Sequence, residues 1–170
     1  MKNYIAVLIL VIGSLGLNAQ SSIQDDKQKE HPIIKALIEN NWIGTGVLMG
    51  NEATFTMDWH RVLGNKFIKL EFQNKRKSEN NESIVFNATG YYKIVNDTIL
   101  GTWFDNRGMT FPLKGSLEEN NLTIVWGTDD TEMGKTIYQY INDNKISVQD
   151  FVMNNGNYFK FGSATYSIKE

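Results

Sequence analysis

The sequence predicts an all-β fold: a closed, antiparallel, up-and-down β-barrel of about ten strands with a short N-terminal helix plugging one end. Three observations predict it. From Trp42 onward, short segments rich in Val, Ile, Thr and aromatics recur at the spacing of about 8–12 residues usual in all-β chains. The connectors between them are brief and carry Asn and Gly, which reach the positive φ of tight hairpins. None is long enough for a parallel crossover, so neighbours in sequence should pair antiparallel. An open meander of that length would leave two bare edges, and closure removes them.

The whole chain sets wider bounds. Its 170 residues suit one domain and an appendage, and 41% hydrophobic with 21% charged residues is a globular composition. A formal net charge of −2 gives no electrostatic footprint for nucleic acid. The largest basic cluster, Lys75-Arg76-Lys77, borders a polar run and reads as a solvated turn. The chain has no cysteine, which excludes disulfides, thiolate metal sites and a lipid anchor on cysteine.

Taken in order, residues 1–19 have the three-part layout of a secretory signal peptide. Lys2 is followed by an apolar run from Tyr4 to Ile12 and a small-residue end at Leu17-Asn18-Ala19. The run is shorter than the ~20 residues that span a bilayer. Cleavage after Ala19 is expected, giving an exported protein, periplasmic or secreted, with no stable membrane anchor. Residues 20–31 are polar, lack hydrophobic period and read as a flexible leader, with the barrel domain over 32–170.

Pro32 suits a first helical position, and Ile33, Ile34, Leu37 and Ile38 form one apolar stripe over about two turns. So short a helix needs a surface to lie against. Asn40-Asn41 ends it. Strands are then expected at 42–49, 53–62, 67–76, 83–94, 98–105, 109–117, 122–128, 133–141, 145–152 and 157–168.

Alternation decides which side chains face inward. Phe55, Met57 and Trp59 oppose Thr54, Thr56, Asp58 and His60. Ile68, Leu70 and Phe72 oppose Lys69, Glu71 and Gln73; Leu122, Ile124 and Trp126 share another inward face, as do Ile146 and Val148. The interior is expected to hold Phe55, Met57, Trp59, Phe72, Phe86, Tyr92, Trp126, Phe159 and Phe161. A barrel of more than about eight strands is wider than side chains readily fill, which leaves room for a pocket. Arg61 continues the Phe55-Met57-Trp59 face towards a rim, where it would hold an anionic group or pair with an acidic neighbour.

Two stretches resemble a known superfamily. Trp42-x-Gly44-x-Gly46 after a short helix is similar to the entry of the calycin barrels: lipocalin-like, nitrobindin-like and fatty-acid-binding-protein-like domains. Gly101-Thr102-Trp103-Phe104-Asp105-Asn106-Arg107-Gly108 resembles a hairpin of exported bacterial lipocalin-like proteins. The resemblance covers about residues 40–168 and implies a ligand-binding barrel. In the nitrobindin-like branch it would imply heme held by a histidine near the C-terminus. This chain has only His31 and His60, so that ligand has no counterpart and no cofactor is expected.

Catalytic signatures are sparse. Asp58 and His60 share one strand face and would need a third group, such as Glu71 or Asp105, to hold a metal or work as acid and base. No nucleophile elbow or phosphate loop is present, since Gly44 and Gly46 precede a strand and not a helix. No catalytic or metal residue is therefore assigned. The alternate glycines would let strand one bend or let a neighbouring strand approach closely.

The favoured function is binding of a small apolar or amphipathic molecule. Phe55, Met57, Trp59, Phe72 and Trp126 would supply the burial and Arg61, Tyr92 or Tyr138 the polar handle. Trp42 would pack under the helix. The alternatives are a loop-mediated interaction or inhibitor module of the cell envelope, and a barrel enzyme using Asp58 and His60, with Asp105 as their partner.

Overall fold

The computed structural model describes residues 30–169. The expected signal peptide and most of the leader lie outside the described residues. Helix α1 (Pro32–Glu39) leads into ten strands: β1 (Asn41–Leu48), β2 (Asn51–Val62), β3 (Phe67–Lys77), β4 (Ser83–Val95) and β5 (Thr98–Asp105). They continue as β6 (Thr110–Glu118), β7 (Asn121–Trp126), β8 (Gly134–Asn142), β9 (Lys145–Asn154) and β10 (Asn157–Ile168). Each strand pairs antiparallel with the next, and β1 closes the barrel on β10 from Trp42↔Ile168 to Leu48↔Gly162. Among the described residues no helix is long and apolar enough to cross a membrane.

The turns follow from their chemistry. Asn155-Gly156 has φ of 49° and 77°, a two-residue hairpin with both residues left-handed. Asn96 takes the same conformation at 45°. Two residues run against composition. Met49 and Leu63 also have positive φ, 51° and 52°, each beside a glycine. Met49 was expected to end the first strand; instead it begins the β1–β2 turn. Gly127, at φ 82°, ends β7 at Trp126, short of the expected residue 128.

All odd-to-even hairpins lie at one end of the barrel, and the even-to-odd hairpins lie at the other with α1. The helix buries Ile33, Ile34, Ala36 and Leu37 against that second end. Lys35 N–H donates to the His31 carbonyl to start it, and Pro32 occupies its first turn. Trp42 is the hinge: it is buried beneath the helix, and its Nε1 donates to the Leu37 carbonyl at 3.3 Å. The alternate glycines allow close approach. A Cβ on Gly44 would stand 2.8 Å from the Tyr166 ring, and one on Gly46 would strike the Ser163 carbonyl of β10.

Two expectations need correction. Phe159 is 54% exposed, because it lies at the hairpin end of β10, where the wall stops. Phe161 does line the interior, as the extra residue of a β-bulge between Lys160 and Gly162. Lys75-Arg76-Lys77 is strand and not turn: it ends β3, where pairing with Ile84 on β4 directs Arg76 to the inner rim.

Candidate functional site

The barrel is solid at the helix end and hollow at the other. The boundary is an aromatic layer. Trp59 packs on Tyr92 with ring centroids 5.0 Å apart and meets Tyr138 edge-on at 5.6 Å. Tyr92 and Tyr138 form the floor of a cavity of about 410 Å³, and Trp59 lies beneath them. The cavity reaches solvent between the hairpins opposite α1, where exposed Met49, Arg107 and Glu132 form its rim.

Aromatic rings make most of the wall. Phe72 is their hub, with Phe55, Trp103 and Phe86 at 6.4, 6.0 and 6.2 Å between centroids. Phe111 and Trp126 face them as a second pair at 5.8 Å. Trp126 lies flat on β8 because its cross-strand partner is Gly134, where a Cβ would stand 2.2 Å from the indole. Rings laid along the wall in this way leave the axis free.

The polar groups fall in two tiers. The deeper one is Asp150, whose Oδ1 accepts a hydrogen bond from the Thr136 hydroxyl at 2.7 Å. Burial raises its carboxyl from the ordinary 3.8 to about 6, and the Thr136 bond opposes that rise. The surface Asp150 still exposes faces the cavity. Asn74 is also buried on the wall, and its Oδ1 accepts a long 3.4 Å contact from Arg76. Burial likewise pushes the Tyr92, Tyr138 and Tyr166 hydroxyls above their ordinary range, so all three stay neutral.

The upper tier is a clamp at the rim. Asp105 ends β5, and its Oδ1 accepts the backbone N–H of Arg107 and of Met109. Its Oδ2 accepts both Nε and Nη2 of Arg107, at 3.2 and 2.8 Å. The Arg107 Nη1 reaches Glu132 in the β7–β8 loop, and the guanidinium lies 5.6 Å over the Phe86 ring. Burial works to raise the Asp105 carboxyl, but the Arg107 and backbone bonds outweigh it and hold it below the usual range. The Asp105-Asn106-Arg107-Gly108 motif thus ties two rim hairpins together.

Of the expected ligand-binding residues, Phe55, Met57, Phe72, Tyr92, Trp126 and Tyr138 converge on the cavity. Trp59 supports its floor from below. Arg61 stands at the opposite end of the barrel, beside the helix, paired with Glu30. Residues not expected from the sequence to bind ligand complete the site: Trp103, Phe111, Asn74, Arg76, Thr136 and Asp150. Asp150 had a readable signal. It continues the inward series Ile146, Val148 two residues on, an acid where alternation calls for an apolar side chain.

Asp58, His60 and Glu71 cluster on the outer wall, with ligand atoms within 4.8 Å of one another. His60 Nδ1 lies 3.5 Å from Asp58, while Glu71 is held by Lys69 at 2.6 Å. Asp105 is at the rim and does not join them, so no constellation of Asp58, His60 and Asp105 forms. His60 faces outward and does not reach the cavity.

No family model matches the chain, and no curated protein matches it. Among solved structures, the chain is similar to the S-type phycobiliprotein lyase CPES from Guillardia theta, at a TM-score of 0.54 and 8% sequence identity. The match covers 81% of this chain and 90% of that one. At that identity the likeness concerns the fold alone.

Proposed function

We propose that this protein is an exported carrier or sensor that binds one small amphipathic molecule in the open half of its barrel. The cavity carries the reading. A space of about 410 Å³, walled by aromatic rings and holding a few convergent polar groups, is the usual form of a small-molecule site. The fold neighbour is named as a phycobiliprotein lyase, which is consistent with a calycin-like barrel holding a small ligand. Export rests on the signal-peptide layout of residues 1–19.

Native mass spectrometry of the protein purified from its own source tests the binding. The expected result is a discrete adduct of small-molecule mass, or saturable uptake of 1-anilinonaphthalene by the empty protein. A clean unliganded mass together with no saturable uptake would overturn it. Export is tested by sequencing the N-terminus of the mature protein. Gln20 is expected there, and an intact N-terminus on protein retained in the cytoplasm would refute it.

A further inference from the structure

The deep part of the cavity is lined mainly by apolar and aromatic side chains, and among the described residues its one carboxylate, Asp150, has no counter-ion. Asp150 sits one inward-facing layer above the Tyr138–Val148 pair and one below Val152 at the rim. Among the described residues its only polar partner is the Thr136 hydroxyl; no cation and no backbone N–H reaches it. The ionisable groups facing it are Tyr138 from β8 and Tyr166 from β10, both neutral phenols. On the β10 side its direct partner is Gly162, where a Cβ would lie 3.1 Å from Oδ2. That glycine leaves the second oxygen open to the cavity.

The cations of the rim do not serve it. Arg107 is committed to Asp105 and Glu132. Arg76 projects from β3, four strands round the barrel from β9, and is turned to Asn74 and Met49. A lone charge in an apolar cavity is costly, and a paired one much less so.

We propose that the cavity binds an amphipathic amine: its apolar body lies among the aromatic rings and its protonated nitrogen pairs with Asp150. This rests on the reading of the cavity as a ligand site. Thr136 holds the carboxylate facing inward, leaving Oδ2 for the ammonium. The electron-rich faces of Tyr138 and Tyr166 add to the attraction. Because the Asp150 carboxyl titrates near 6, it is ionised at neutral pH, and the amine should be released as the pH falls below that value.

Isothermal titration with three near-isosteric probes separates the possibilities: 2-(1-naphthyl)ethylamine, 2-(1-naphthyl)ethanol and 1-naphthylacetate. At about pH 7.5 the amine should bind at least about tenfold more tightly than the alcohol, and the acid most weakly. At about pH 5 the advantage of the amine should shrink by about tenfold, following protonation of the carboxyl. Asp150→Asn should abolish the preference while the affinity for the alcohol stays within about threefold. Thr136→Val, which removes the bond favouring the ionised form, should move the pH midpoint upward and serves if the Asn variant does not fold. Equal binding of the three probes, or a preference that survives in Asp150→Asn, would overturn the amine but leave the cavity reading intact. Tightest binding of the acid would also overturn it and point to Arg76. No binding of any probe would remove both.

Discussion

The two halves of the barrel are built from the same strands, yet one is solid and the other hollow. At the helix end, Ile33, Leu37, Trp42, Leu70 and Ile146 are each at most 1% exposed. At the hairpin end, Phe72, Phe86, Trp103 and Trp126 are only partly buried and look onto the cavity. Inward alternation is the same in both. What differs is how side chains use the axis. Aliphatic residues point across it and meet the helix, which supplies the filling that a ten-stranded wall cannot. Aromatic rings in the other half lie along the wall, some of them over glycines, and leave the centre empty. Stability and function are thereby separated along one axis.

The largest expected effect tests that separation. Trp42→Ala removes a wholly buried indole and its bond to the Leu37 carbonyl, and should cost about 3–5 kcal/mol. Trp103→Ala removes a ring of the same size from a wall that already borders empty space, where fewer contacts are lost. It should cost less than half as much. Urea unfolding of both variants measures the difference, and equal costs would mean that the open half is packed as firmly as the closed one.

Asp150→Asn should give the next largest change, with the opposite sign. The folded carboxyl titrates near 6 and the unfolded one near the ordinary 3.8. Between these values the folded chain holds more protons, so this group makes stability fall as the pH rises. Below about pH 3 both states are protonated and the variant should match the parent. Above about pH 6.5 the variant should be more stable by up to roughly 3 kcal/mol, less whatever cavity water returns to the charge. Paired unfolding curves at the two pH values cancel the titration of every other carboxylate. A difference that does not grow with pH would show that Asp150 is well solvated. The open half would then be wetter than its aromatic wall suggests.

The rim clamp is smaller. Arg107→Ala leaves the buried Asp105 carboxylate without its fork and unties the β5–β6 hairpin from Glu132. A cost of about 1–3 kcal/mol is expected, together with faster amide exchange in residues 105–110 and 127–133. Because partnership holds the Asp105 carboxyl below its ordinary value, the clamp's contribution should persist at neutral pH and fade as acid protonates that carboxyl. Exchange that accelerates equally at the helix end would show that the halves are not independent.

The closed half was far more legible in the sequence than the open one. Two-residue alternation and Asn/Gly turns locate ten strands to within a few residues, and the Ile33–Ile38 stripe with Trp42 locates the plug. These are local signals. The cavity residues are partly local too: Asn74 and Asp150 extend inward series begun by Ile68 and Ile146. Their polar character is what hid them, since an acid is normally placed on the solvent face. Arg107 and Glu132 could not be paired by pattern, because they come from different loops that only closure brings together. Arg61 shows the converse. Its alternation is right, but the register of a strand does not reveal which end of the barrel stays open.

The smallest expected effect concerns a surface that belongs to neither half. Asp58, His60 and Glu71 gather on the outer wall, and such a trio invites assignment as a metal or acid–base site. Its surroundings argue for a solvated strand face. Glu71 is engaged by Lys69, a cation that would compete with any metal for the same carboxylate, and hydrogen bonding to that lysine holds the carboxyl below its ordinary range. His60 and Asp58 are both substantially exposed. Substituting His60 by alanine should therefore change stability by no more than about 0.5 kcal/mol. It should also leave the binding of 2-(1-naphthyl)ethylamine within about twofold of the parent, since the side chain points away from the cavity wall. Zinc added to the parent should shift its melting temperature no more than it shifts that of the alanine variant. A clear zinc-dependent difference would make the outer wall a third functional region, with chemistry independent of the cavity.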